Sequence, residues 1–128
     1  MIDNFQTPGD FNVDLLVNNK KIVYHNCHEI SQGGPVIGEL SIDGHFIPNQ
    51  LFGGPLLIQK QLIYVPVFVK RFLGNGFKLA VIDTDTFSVT INGNFRSLIF
   101  LDKIENGRIY FFEHVEKKRY NSYLLAEI

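Results

Sequence analysis

A single cysteine, Cys27, stands in the whole chain, so no disulfide can form within it. A lone thiol suits a reducing compartment, and the cytoplasm is the expected location. No apolar run approaches the ~20 residues that cross a bilayer as a helix. Met1-Ile2-Asp3-Asn4-Phe5 lacks the basic start and apolar stretch of a secretory signal. No membrane partner is expected. Excess charge of one sign is also missing, because 12 Lys and Arg stand against 13 Asp and Glu for a net charge of −1. That balance leaves no sequence-wide electrostatic footprint for nucleic acid. The basic runs Lys117-Lys118-Arg119 and Lys70-Arg71 read as solvated turns, so no nucleic-acid partner is expected.

Catalytic signatures are absent as well. The chain holds no Gly-x-Ser-x-Gly elbow, phosphate-cradling Gly-x-x-x-x-Gly-Lys, dinucleotide fingerprint or His-Glu-x-x-His helix. Gly33-Gly34-Pro35 and Gly53-Gly54-Pro55 do not replace a phosphate loop, since the proline removes an N–H and no helix follows. Carboxylates at Glu39, Asp43, Asp83, Asp85, Asp102, Glu105 and Glu113 fall beside turns or on polar strand faces, where they serve solubility. Asp83 and Asp85 share one turn, where side-chain capping of backbone N–H groups is the commoner role. The ligand-capable cluster is His25, Cys27 and His28, with Glu29 beside it. Structural zinc needs a second Cys/His pair, and His45 and His114 are isolated, so neither a metal nor another cofactor is expected.

What the chain has is β pattern. Tryptophan is missing but phenylalanine occurs 12 times, and 45% of residues are hydrophobic, enough for one core in one β-rich domain spanning residues 1–128, with residues 1–10 as an N-terminal tail. Residues 11–17 and 20–24 flank Asn18-Asn19, which predicts a hairpin with a two-residue turn. It sets Leu15 opposite Ile22 and Val13 opposite Tyr24, with Asp14 and Lys21 on the other face. Residues 25–35 break the alternation and read as a loop. Asp43-Gly44 and Asn106-Gly107 predict further tight turns, the latter placing Glu105 opposite Arg108 and Ile104 opposite Ile109. Asn92-Gly93 carries the same hairpin signal.

Pro66 interrupts the β-prone run 61–70 and cannot donate a ladder hydrogen bond, which predicts an edge strand or a bulge. Gly33-Gly34-Pro35-Val36-Ile37 recurs as Gly53-Gly54-Pro55-Leu56-Leu57, read as two loops of similar turn chemistry rather than a structural repeat. Residues 98–101 and 109–112 are apolar on both faces, predicting either a central pair of strands or an outer face that meets a partner. The C-terminal segment suits a strand, with a short helix as the alternative because Tyr120, Leu124 and Ile128 fall at helical spacing. The sum is an all-β fold, an antiparallel meander of about nine or ten strands that closes into a barrel or packs as a two-layer sandwich.

Without catalytic motifs, the leading functional expectation is a non-enzymatic protein-binding domain, such as a bacterial toxin-neutralising (immunity-type) protein or an assembly subunit. Tyr64, Phe68, Phe72, Tyr110 and Phe112 are its candidate partner-binding anchors, because rigid aromatics on a sheet concentrate binding energy. The alternative is a small-molecule carrier that holds its ligand in the mouth of a β-barrel.

Overall fold

Asn18 and Asn19 both adopt left-handed backbone, with φ of 51° and 64°, and their turn joins β1 (Asp14–Val17) to β2 (Lys20–Glu29). Leu15 pairs with Ile22 as expected, Tyr24 N–H donates to Val13 O, and Lys21 reaches Asp14 at 3.9 Å on the opposite face. Residues 6–128 are described by this computed structural model, so the first half of the expected tail lies outside the described residues. Of the rest, Thr7 and Asp10 bridge around Pro8-Gly9, and Pro8 O accepts the N–H of Val36.

The elements that follow are β3 (Val36–Ile42), β4 (His45–Phe46), β5 (Leu57–Gln59), β6 (Leu62–Val69), β7 (Gly76–Asp83), β8 (Val89–Arg96), β9 (Phe100–Glu105), β10 (Arg108–Phe112) and β11 (Tyr120–Leu124). A 3₁₀ turn at Leu125–Glu127 follows the last strand, so the C-terminal segment is the expected strand. The strands form three antiparallel sheets in the orders β1-β2-β3-β4, β5-β6-β7-β8 and β11-β10-β9. Among the described residues the sheets do not close into a barrel and are consistent with a sandwich.

The second sheet lies between two cores. Ile63, Val65 and Val67 of β6, with Ala80 and Ile82 of β7, join Ile22, Tyr24, Leu40, Ile42 and Phe52 in one cluster. The alternate residues Tyr64, Phe77 and Leu79 join Ile99, Phe100, Leu101, Ile109 and Phe111 in the other. Period-two alternation in a strand covered on both faces produces this division. The two-sided strands are therefore β6 and β7. The β9–β10 hairpin is an outer layer: Ile109 and Phe111 are buried beneath it, while Tyr110 and Phe112 are half-buried on the other face, Phe112 packing against Phe100 at 5.9 Å between ring centroids.

Three expectations are corrected. Residues 25–35 are not all loop, because β2 continues to Glu29 through a bulge at Asn26-Cys27, where Asn26 takes φ 53°. Asn92-Gly93 is not a hairpin turn. It lies inside β8, where Leu79 pairs with Asn92 and Phe77 with Arg96, and Gly93 supplies the φ of 85° for a bulge. A side chain at Gly93 would meet the Tyr123 ring at 3.0 Å.

Pro66 marks neither an edge nor a bulge. It pairs with Leu79 of β7 without a register shift, and its other side faces residues 51–53, which stitch β3 to β6 through Phe52. Gly53 N–H donates to Pro66 O at 2.8 Å. The antiparallel ladder would return a bond from residue 66 to Gly53 O, which proline cannot make. The buried Tyr24 hydroxyl donates to Gly53 O instead, at 2.8 Å. A tyrosine of the first sheet thus supplies the donor that a proline of the second omits.

Candidate functional site

The β2 bulge opens one wall of a groove. Gly38 lies beneath it, and a Cβ there would come within 2.8 Å of both Cys27 Sγ and His25 O, so β3 meets the bulge at a residue without a side chain. The bulge turns Asn26 and His28 toward the loop 47–51, and with Glu39, Phe46, Leu51, Phe68 and Lys70 they line an open groove of about 680 Å³. Its lining combines apolar and polar side chains, with Asn26 Nδ2 donating to Glu39 Oε1. Such a volume lies within the range of small-ligand sites.

Immediately beyond Lys70 the chain turns between β6 and β7, and Phe72 and Leu73 project from the molecule. Phe72 is 100% exposed and Leu73 93%. Arg71 bends back over the Phe95 ring, 3.7 Å from its centroid, which holds the base of the loop against β8. The groove and the projecting pair therefore share one end of β6.

A second apolar surface lies on the outer face of the third sheet. Tyr110 stacks on Tyr120 at 5.6 Å between ring centroids, and Phe112 meets Tyr120 at 4.5 Å. The Tyr120 hydroxyl donates to Asp102 Oδ2. Desolvation, the hydrogen bond and the Asp102 charge together hold its phenol well above the usual range. Beneath it, Arg96 pairs with Glu113 at 2.9 Å and donates to the Tyr123 hydroxyl at 2.8 Å, tying β8 to this sheet.

The candidate anchors thus separate. Phe72 is fully exposed, Phe68 lines the groove, and Tyr110 and Phe112 belong to the outer aromatic face. Tyr64 is corrected: at 4% exposure it is core, because β6 is covered on both faces. The ligand-capable trio is not brought together for coordination. His25 Nε2 bonds Ser41 Oγ and its ring packs on Phe46, His28 Nδ1 lies 3.2 Å from Asn26 O, and desolvation pushes the Cys27 thiol up. Among the described residues no three His, Cys, Asp or Glu side chains gather as a metal site.

Sequence reasoning missed Leu73, Phe46 and Tyr120. Leu73 follows Phe72 in a loop closed by Gly74-Asn75-Gly76, and that context could have revealed it. Tyr120 and Phe46 gave no signal, since only tertiary placement leaves them outside. No helix among the described residues is long and apolar enough to cross a membrane. No protein-family model, curated protein or solved structure matches the chain.

Proposed function

We propose that the chain is a non-enzymatic protein-binding domain, of the kind that neutralises a toxin or serves as a subunit of an assembly. The observation that carries this reading is the pair Phe72-Leu73, two large apolar side chains in sequence with essentially full exposure. Leaving them in water stabilises nothing in the free protein, whereas inserting them into a partner's pocket removes that apolar surface from solvent. The adjoining groove offers the same partner a complementary concavity.

The test compares proteins captured from the native host by wild type and by the double variant Phe72→Ala/Leu73→Ala, with both baits matched for thermal stability. A stoichiometric partner whose recovery falls roughly tenfold or more with the variant is the expected result. Equal recovery on both baits, or no partner at all, would sink the reading.

A second reading is carried by the groove itself. In place of a barrel mouth, its lining of Phe46, Leu51 and Phe68 together with Lys70 and Glu39 would seat a small polar-apolar molecule. Native mass spectrometry of protein purified from its host would reveal a retained mass. A chain of bare mass would remove this reading.

A further inference from the structure

Sheet edges expose unpaired backbone, and proteins ordinarily blunt them with short strands, bulges, proline or lysine. Most edges here follow that practice. The edge strands β4 and β5 have two and three residues, and bulges break β8 and β9. β1 and β11 do not: β1 has four residues, and the longer β11, Tyr120–Leu124, pairs with β10 in unbroken register and contains no proline, lysine or bulge.

The direction of its free groups follows from the ladder. Leu125 N–H donates to Gly107 O, and Arg119 O accepts from Glu113 N–H, so odd-numbered residues bond toward β10. The N–H and C=O groups of Tyr120, Ser122 and Leu124 therefore point away from the sheet. Among the described residues the Ser122 N–H reaches only the adjacent Asn121 side chain, at 2.8 Å, and a hollow of about 340 Å³ flanks Ser122, Tyr123 and Leu124.

We propose that β11 pairs antiparallel with β11 of a second copy of this chain, about a two-fold axis through Ser122. That register places every outward-pointing residue opposite another. Ser122 meets its own counterpart, and Tyr120 meets Leu124 of the second copy in both halves. The side chains complement one another as well. Tyr120 and Leu124, 48% and 40% exposed on the outer face, become cross-strand neighbours, and Leu124 of the second copy extends the row in which Tyr120 already packs on Tyr110 and Phe112. Arg108 and Glu127 both line the hollow beside Ser122, so each copy brings charges of both signs to the pairing edge. An isologous contact of this kind closes after two copies. Pairing of five residues buries less than a standard interface, so the dimer is weak and forms with concentration.

Sedimentation equilibrium from micromolar to about 1 mM tests the proposal. The expected result is a monomer–dimer equilibrium that weakens as salt screens the Arg108 and Glu127 charges at the edge. Ser122→Pro deletes the central outward N–H and keeps the backbone ladder to β10, while also removing the hydroxyl that accepts from Arg108 Nη1 at 3.0 Å, and Leu124→Lys places a charge opposite Tyr120. Each is expected to weaken dimerisation roughly tenfold or more. Ser122→Cys in a Cys27→Ser background is expected to form a disulfide-linked dimer on mild oxidation, because the register brings the two residues opposite.

Circular dichroism and melting temperature establish that each variant folds, and the Cys variant reports geometry even where Ser122→Pro does not fold. A monomer across the whole range would overturn the proposal. So would a dimer that tolerates both substitutions and does not cross-link through residue 122, since it would use another surface.

Discussion

At the scale of single residues, buried groups that substitute for one another carry the sharpest consequences. Tyr24→Phe keeps the ring in its core cluster but leaves Gly53 O without its donor. The expected loss is about 1–3 kcal/mol, the cost of an unsatisfied buried acceptor, read from the urea midpoint. The same phenol governs alkaline behaviour. Burial first, and the nearby Cys27 second, raise its ionisation far above the ordinary value. In the unfolded chain tyrosine ionises near pH 10, so above that pH the unfolded state holds fewer protons than the native one. The stabilisation from this group is complete below about pH 10 and declines as pH rises further. Urea midpoints between pH 8 and 11 should show that decline, with a shallower slope in Tyr24→Phe. Gly38→Ala drives a Cβ against the main chain at His25 and the Cys27 sulfur, and a loss of about 1–3 kcal/mol is expected by the same measurement.

At the scale of elements, the turns explain what could be read from the amino acids and what could not. Asn18-Asn19, Asp43-Gly44 and Asn106-Gly107 all carry positive φ at both positions, and their chemistry sets each register because only such residues take that backbone without strain. Gly107→Ala, at φ 74°, is expected to lower stability by about 1 kcal/mol in thermal unfolding. Asn92-Gly93 has the same local chemistry but serves a bulge, because the demand there comes from Tyr123 packing over Gly93, which is remote in sequence. That bulge leaves the buried Asn92 amide nitrogen without a partner among the described residues. Asn92→Val removes the orphan donor and suits a strand, so a gain of about 1 kcal/mol is expected. The β5–β6 turn shows the reverse failure, since Lys60 takes φ 56° with no glycine or asparagine to announce it. The candidate site was legible in part for a related reason. Phe72 sits in a loop and could be singled out, whereas Tyr64 and Phe68 occupy a strand whose two covered faces depend on sheets formed by distant segments.

At the scale of the whole molecule, one sheet serves two cores. Ile63 and Val65 answer to the first sheet and Tyr64 and Leu79 to the third, so neither cluster can melt while β6 and β7 remain fully packed. Unfolding followed by far-ultraviolet dichroism and by tyrosine fluorescence should therefore give superimposable urea transitions. Separate midpoints would mean that the third sheet detaches independently. The stitch at residues 51–53 adds a constraint on how the sequence can change. Positions 24 and 66 lie in different sheets yet serve the same carbonyl. With Pro66→Val, residue 66 regains an N–H that can reach Gly53 O, and Tyr24→Phe then costs less than it does beside the proline. A double-mutant cycle would register this as a positive coupling. The order of substitution then decides the outcome: losing the tyrosine first crosses a destabilised intermediate, and replacing the proline first does not.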